Sequence, residues 1–272
     1  MMIQELVQID KAVKFQYSRV LNYAGIKYKN ILDTIDAYLT EYAEFYNLSS
    51  EETLKRYFTF VDRYVNDLEV FENTGLFPLQ MKKVNGFKIQ RITYDIFLIL
   101  SGLLQKHRFQ ILKNIFQAKK SCGHCLIVGA GSGLELLSLK DKFDSLDAYD
   151  IRISNFCKHK FYDLNLFEKE YDATSRKKYD AMYAIELLEH LQSPFEILDN
   201  FRKSLKQNGK LIITVTKNVP QFDHFYNFSD ECDFETKLRN IGFDIVYREV
   251  IKHNYVFFRI DARNVFYVLA KK

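Results

Sequence analysis

The sequence predicts an α/β protein in which a mainly parallel sheet follows a helical N-terminal region. Two observations support this prediction. From about residue 122 onward, short apolar runs alternate with stretches of helical periodicity and with glycine turns, a pattern typical of parallel strands joined by crossover helices. Before that point, the chain shows helical periodicity and has few glycines or prolines.

The N-terminal region contains two strong helix signals. Apolar residues recur at helical spacing over residues 31–45 and predict a helix with one apolar face. Ser49, followed three residues later by Glu52, forms a capping-box pattern that predicts a long helix running toward Phe71.

The following segment interrupts this helical pattern. Gly75, Pro78 and Gly86 break the periodicity. We expect a short extended segment over residues 87–91 and a helix over residues 94–104. The sequence then predicts a connecting helix within residues 103–119.

A short strand ending in alternating glycines is the most informative motif. The apolar run at residues 125–128 leads into Gly129, Gly131 and Gly133, and a helix-like stretch follows. Glycine lets the chain turn tightly and lets a ligand approach bare backbone. The helix start also offers free N–H groups to a negative ligand group. These residues therefore predict a nucleotide-type site.

The spacing of this motif identifies the kind of site. Asp150 ends the next apolar run about 20 residues after Gly131, where ribose hydroxyls need a carboxylate acceptor. A dinucleotide fingerprint would place its third glycine at position 134, which is Leu134. The Gly-x-Gly-x-Gly spacing is more typical of the first motif of S-adenosylmethionine sites.

Further segments follow in the order that such a sheet requires. An apolar strand at residues 179–185 passes into the Glu-x-x-Glu-His run at residues 186–190, and a helix is predicted over residues 195–205. Strands are then predicted at residues 210–216, 243–250 and 264–270, with a helix capped by Ser229 and ended by Gly242 between the first two.

This series resembles the class I S-adenosylmethionine-dependent methyltransferases over about residues 106–272, and within them the group that includes the ubiquinone-biosynthesis O-methyltransferases. The resemblance implies a Rossmann-like, seven-stranded methyltransferase sheet whose last strand enters antiparallel between the fifth and sixth. It also implies S-adenosylmethionine as methyl donor and S-adenosylhomocysteine as product. Lys210 departs from the group, which has a second glycine at that turn.

The resemblance also implies donor-binding residues besides the three glycines and Asp150. Asp163 matches the acid that accepts from the adenine amino group, if it follows the third strand. Ile185 and Glu186 match the positions that pack the methionyl part. Only ten residues separate Asp150 from Phe161, so the helix after the second strand is expected to be short or replaced by a loop.

Four residues are candidates for contact with the acceptor or for catalysis. His224 follows the fifth strand and has a side chain suited to a general base, although its aromatic neighbours fit a packed structural histidine equally well. His190 belongs to the Glu-x-x-Glu-His run. Arg91 and Tyr94, from the N-terminal region, are candidates to reach the donor carboxylate or the acceptor.

Composition indicates which other classes to set aside. The net charge of +4 does not predict a nucleic-acid partner, and no apolar stretch is long enough to cross a membrane. Cys122 and Cys125 form a Cys-x-x-Cys pair, but Cys125 begins the buried strand, so we expect reduced cysteines, no metal site and a cytoplasmic location.

We therefore predict two domains: residues 1–105 form a helical domain that acts as a lid or a dimerisation module, and residues 106–272 bind the donor. The predicted activity is methyl transfer to a small-molecule acceptor, on oxygen first and nitrogen next. Such an acceptor would be a metabolite, a sugar or a natural-product intermediate. The alternatives are a non-catalytic S-adenosylmethionine-binding scaffold, or an RNA or protein methyltransferase. A homodimer through the helical domain is also open.

Overall fold

The computed structural model describes residues 1–78, 89–173, 177–253 and 255–272. Six helices precede the first strand in this part of the chain. They are α1 (Met2–Ile9), α2 (Lys11–Ala24), α3 (Lys29–Phe45), α4 (Ser50–Thr74), α5 (Arg91–Leu104) and α6 (Lys106–Phe116). Gly86 and the first two residues of the extended segment expected at residues 87–91 lie outside the described residues. Gln90 has an extended backbone, and Arg91 begins α5.

Capping residues fix the ends of α4 as the sequence predicts. The Ser49 side chain accepts from the Glu52 N–H, and the Glu52 carboxylate accepts from the Ser49 N–H, so the capping box is complete. Gly75 ends the helix in the left-handed conformation, with a φ of 69°. The predicted helix over residues 31–45 corresponds to α3, which buries its apolar face.

Seven strands form a single sheet with the order β3-β2-β1-β4-β5-β7-β6. They are β1 (His124–Val128), β2 (Ser145–Asp150), β3 (Asn165–Glu168), β4 (Tyr179–Ala184), β5 (Leu205–Lys217), β6 (Phe243–Lys252) and β7 (Arg263–Lys271). The first five strands run parallel, and β7 pairs antiparallel with both β5 and β6. The predicted topology is therefore confirmed.

Short helices connect the strands. They are α7 (Leu134–Leu139), α8 (Asn155–Lys160), a 3₁₀ helix (Leu188–His190), α9 (Pro194–Ser204) and α10 (Glu231–Ile241). The six-residue α8 agrees with the expectation of a shortened connection after β2. Asp230 caps α10 by accepting from the Asp233 N–H, so the prediction of Ser229 as the cap is wrong by one residue.

The third strand begins later than predicted. Residues 161–164 form turns after α8, and β3 starts at Asn165. Asp163 therefore precedes β3 instead of following it, and it lies exposed at the amino end of that strand. The sequence-based prediction missed this boundary because the strand has only two apolar residues, which are half-buried between exposed ends.

The sheet separates two hydrophobic clusters, because successive side chains of a strand point to opposite faces. On β1, Cys125 and Ile127 join a cluster that includes buried residues of α1–α6, whereas Leu126 and Val128 join the cluster under α9 and α10. The N-terminal helices thus share a hydrophobic core with one face of the sheet. No helix within the described ranges has the length and apolar character needed to cross a membrane.

Candidate active site

A cavity of about 1090 Å³ opens at the carboxyl ends of the parallel strands. Residues that follow β1, β2, β4 and β5 line it, and residues of α5 contribute to its wall. In open α/β sheets, ligands bind outside the carboxyl ends of the strands, where neighbouring connections diverge to opposite faces. The cavity therefore lies where ligands bind in folds of this kind.

The glycine loop, residues 129–133, forms one wall of this cavity. All three of its glycines have positive φ, at 80°, 54° and 88°. The Gly129 N–H donates to the Tyr149 carbonyl at 2.8 Å, which ties the loop to the end of β2. A Cβ at Gly129 would lie 3.1 Å from a Leu187 methyl, whereas a Cβ at Gly131 would lie at an ordinary contact distance of 3.5 Å from Leu98. At both positions, bare backbone is available to a ligand.

Gly133 faces away from the cavity and packs against the N-terminal helices. A Cβ at this position would lie 2.4 Å from Tyr38 Oη and 2.8 Å from Cys157 Sγ. The Tyr38 hydroxyl donates to the Ser132 carbonyl at 2.7 Å. Gly133 does not line the cavity. The lack of a side chain at this position therefore allows α3 to pack closely and does not make room for a ligand.

Asp150 lies at the carboxyl end of β2 and lines the cavity. Its Oδ2 accepts from the Gly131 N–H at 2.8 Å, and its Oδ1 accepts from the Arg152 N–H at 2.8 Å. Arg91 contacts the same corner: its Nη1 lies 3.8 Å from Asp150 Oδ1, and its Nη2 donates to the Gly131 carbonyl. Arg91 Nε also pairs with buried Asp95 at 2.8 Å.

Asp163 does not belong to this site. It lies at the amino end of β3, opposite the edge where the cavity opens, and it is not among the residues that line the cavity. The carboxyl end of β3 instead contributes Lys169, Glu170 and Tyr171 to the cavity wall. The sequence-based assignment of Asp163 to the adenine amino group is therefore wrong, because it depended on a misplaced strand.

A buried charge cluster follows β4, where Ile185 and Glu186 line the cavity. Arg108 forms ion pairs with Glu186 and, at 3.2 Å, with Glu135. Glu186 has a φ of 48°, and its N–H donates to Thr214 Oγ1 at 2.7 Å. Backbone strain of this kind is concentrated at functional sites. With one guanidinium and two carboxylates, the cluster favours a positively charged ligand group.

His190 and His224 meet at the end of β5, and both line the cavity. Their rings are nearly perpendicular, with centroids 4.7 Å apart. Burial lowers the pKa of His190, but the neighbouring Asp223 and Glu189 carboxylates outweigh it and raise the pKa overall. Burial and the nearby His190 lower the pKa of His224 to about 3, which makes His224 a weak base at neutral pH.

Both histidines belong to a larger cluster with Asp223. One ligand atom from each of these three side chains lies within 4.8 Å of the others. The expectation of no metal site considered ligands near the Cys-x-x-Cys pair in the sequence, and the cysteines are free, with Cys125 buried in β1 and Cys122 exposed. Sequence reasoning missed this cluster because Asp223 and His224 reach His190 only through the fold.

Aromatic and imidazole side chains form the wall on the side of the helices. Tyr94, Tyr64, His107 and His253 all line the cavity. The rings of His107 and His253 stack with centroids 3.7 Å apart, and burial lowers both of their pKa values. Burial and nearby Asp223 raise the pKa of Tyr94 well above its usual value, so its hydroxyl stays neutral.

Several of these residues carry no usable signal in the sequence. Arg108 and His107 lie on α6, and His253 follows β6, so none of the three belongs to a glycine or acidic motif. The sequence shows Glu189 as part of the Glu-x-x-Glu-His run, but it does not indicate that this side chain is completely buried. Such residues become recognisable only after α6 and β6 are placed beside the carboxyl edge of the sheet.

The strand order, the antiparallel β7 and the glycine loop beside Asp150 define the class I S-adenosylmethionine-dependent methyltransferase fold. A family model described as "Methyltransferase domain" matches residues 103–252, more than half of the chain. The chain belongs to this family. The cofactor is S-adenosylmethionine, and its product is S-adenosylhomocysteine. A search of curated protein sequences gives no significant match.

Solved structures agree with this fold at low sequence identity. The N-methyltransferase NodS from Bradyrhizobium japonicum WM9, in complex with S-adenosylhomocysteine, is 14% identical, with a TM-score of 0.51 over 61% of this chain and 88% of that chain. A second structure of NodS gives 14% identity and a TM-score of 0.50 over 61% and 95% of the two chains. Similarity at this level shows the fold.

The site residues fit this cofactor. Gly129 and Gly131 provide backbone that a side chain would obstruct, and Asp150 provides a carboxylate at the end of β2. Close by, the cluster of Arg108, Glu135 and Glu186 has an excess of negative charge. A donor with a ribose, an ammonium and a sulfonium matches these features.

Proposed function

We propose that this protein transfers a methyl group from S-adenosylmethionine to a small-molecule acceptor, on oxygen first and on nitrogen next. The observation that supports this most strongly is the glycine loop with Asp150 at one end of a cavity of about 1090 Å³. Cavities for single ligands measure roughly 300–1,000 Å³. This one therefore has room for an acceptor beside the donor.

We assign the donor seat to Gly129, Gly131, Asp150, Ile185 and Glu186. The ribose hydroxyls would share the Asp150 carboxylate, which Gly131 and Arg91 already hold in place. Glu186 and Glu135 would attract the positive methionyl end, because together they exceed the single charge of Arg108. Arg91 is suited to the donor carboxylate, since its guanidinium lies at the glycine loop.

When bound, the sulfonium supplies an activated methyl group. The protein then mainly has to hold the acceptor in line with that group, and proximity and orientation supply most of the rate. Tyr94, His190 and His224 line the cavity and are not part of the donor seat, so we assign them to the acceptor side. His224 is a weak base there, and we assign it a positioning role instead of general-base catalysis.

A small acceptor agrees with the lining of the cavity. Four tyrosines and four histidines of the described residues line the cavity, including Tyr64, Tyr94 and the stacked His107 and His253. Such a wall favours a planar or hydroxylated metabolite through ring contacts and hydrogen bonds. The net charge of +4 gives no support to an RNA acceptor.

Two linked experiments test this function. Calorimetric titration with S-adenosylhomocysteine should show one site per chain, and transfer of a tritiated methyl group to cell extract should label small molecules. Binding without transfer in any extract would favour the non-catalytic scaffold. Label in macromolecules would favour RNA or protein methylation. No binding of S-adenosylhomocysteine would contradict the donor seat itself.

A further inference from the structure

The cluster of His190, Asp223 and His224 is held together by the backbone. The carbonyl of Glu189 accepts from the Phe225 N–H at 2.8 Å and from the Tyr226 N–H at 3.0 Å. The His224 N–H in turn donates to the Gln221 carbonyl at 2.9 Å. These bonds fix the segment after β5 against the 3₁₀ helix, so the cluster is arranged before any ligand arrives.

Each of the two rings presents one nitrogen to a backbone carbonyl. His224 Nδ1 lies 2.8 Å from the Val219 carbonyl, and His190 Nδ1 lies 3.2 Å from the Asp223 carbonyl. A carbonyl only accepts, so Nδ1 carries the proton in both neutral rings, and Nε2 carries the lone pair. Histidines that bind metals usually donate their other N–H to a carbonyl or carboxylate in this way.

The charges around the cluster also favour a cation. Asp223 adds a carboxylate, and its Oδ2 lies 3.5 Å from His190 Nδ1. Glu189 is completely buried in the wall of the same cavity, and neither of its carboxylate oxygens has a hydrogen-bond partner among the described residues. Burying an unpaired carboxylate is costly, and a nearby cation lowers that cost.

We propose that His190, Asp223 and His224 bind one divalent first-row transition-metal ion, such as Mn²⁺ or Zn²⁺. Two imidazoles and one carboxylate suit such an ion better than Mg²⁺ or Ca²⁺, which prefer oxygen ligands alone. Three protein ligands leave a coordination position open toward the cavity. This position would take an oxygen atom of the acceptor, which is therefore a hydroxylated compound.

The acceptor part of this proposal rests on the proposed function. The metal-bound oxygen loses its proton to water and forms the new bond to the methyl carbon. The sulfur–methyl bond breaks, and its electron pair stays on sulfur, which leaves as neutral S-adenosylhomocysteine. The ion lowers the pKa of the acceptor hydroxyl, so this step needs no strong protein base.

The test is a titration of the full chain, after treatment with a chelator, with Mn²⁺ followed by electron paramagnetic resonance and with Zn²⁺ followed by calorimetry. One ion should bind per chain. His190→Ala and Asp223→Asn should each weaken binding by about 10-fold or more. His159→Ala is the matched control, because His159 is an exposed histidine on α8, away from the cavity, and its loss should leave the affinity unchanged.

Two results would overturn the metal site: no binding of either ion at millimolar concentration, or equal affinities in all three variants. Titration with S-adenosylhomocysteine separates this proposal from the proposed function and also checks that each variant is folded. If S-adenosylhomocysteine binds but the ions do not, the metal site fails alone. If the ions bind and S-adenosylhomocysteine does not, the donor seat fails and the metal site stands.

Discussion

At the scale of single residues, Asp150 is the residue of the proposed donor seat whose carboxylate makes the most contacts with its neighbours. Its carboxylate accepts from Gly131 and Arg152 and also lies near Arg91. Ribose hydroxyls would have to join an arrangement that is already formed. The seat is therefore preorganised, which lowers the entropic cost of binding a donor.

We expect Asp150→Asn to weaken the binding of S-adenosylhomocysteine by about 1–3 kcal/mol, because charged hydrogen bonds to the ribose would be lost. Calorimetric titration measures this difference. Asp163→Asn is the control, since Asp163 is exposed at the opposite end of β3. Equal affinities of the two variants would contradict the ribose role of Asp150.

His253 makes stability depend on pH. Burial lowers its pKa from 6.5 to about 4, so between these values the unfolded chain binds a proton that the folded chain does not. Stability should therefore fall as the pH drops from 6.5 toward 4, by about 3 kcal/mol for this group. In His253→Gln, the free energy of unfolding, measured with urea, should depend less steeply on pH.

Exposed His159 again provides the comparison for this pH effect. His159→Gln should retain the slope of the original chain. His107 and His224 also have pKa values that burial lowers, so they keep part of the slope in both variants. If His253→Gln shows the same slope as His159→Gln, the buried neutral state of His253 would be excluded.

At the scale of elements, the glycine loop has two different faces. Gly131 borders the cavity, whereas Gly133 packs against Tyr38 of α3 and against Cys157 of α8. Gly131→Ala should cost about 1–2 kcal/mol for the left-handed backbone alone. Gly133→Ala should cost roughly 1–3 kcal/mol more, because its Cβ would overlap Tyr38 Oη.

Urea unfolding of the two alanine variants measures this difference, and the two variants serve as controls for each other. Both residues have positive φ, so the backbone penalty is shared and the remainder reports packing. Equal losses of stability would contradict the close contact between the loop and the N-terminal helices.

Local chemistry explains which elements the sequence predicts correctly. The capping box at Ser49 and the glycine at residue 242 act on their own helix ends, so they are readable without tertiary structure. In contrast, β3 is held by pairing with β2 and has no buried apolar run. The sequence-based prediction therefore placed this strand too early in the chain, and the assignment of Asp163 failed with it. Arg108 was missed for a related reason, because its partners Glu135 and Glu186 come from distant segments.

At the scale of the whole molecule, the N-terminal helices and the sheet are not packed as separate bodies. Residues such as Leu39 and Leu100 lie in the same hydrophobic cluster as Ile127 of β1 and Phe266 of β7. The division at residue 105 stays a prediction, and so does the dimer through the helical region. The shared core means that each part covers apolar surface of the other.

We therefore expect the full chain to unfold in one cooperative transition. Scanning calorimetry should give equal calorimetric and van't Hoff enthalpies, as for a single cooperative unit. Two resolved transitions would show that the N-terminal helices fold independently of the sheet, in spite of the common core.

The most direct test of the donor seat is a crystal structure of the protein with S-adenosylhomocysteine. The ribose hydroxyls should lie within hydrogen-bond distance of the Asp150 carboxylate, with the nucleoside against the backbone of Gly129 and Gly131. A nucleoside bound elsewhere, with the contacts of Asp150 to Gly131 and Arg91 unchanged, would contradict the donor seat.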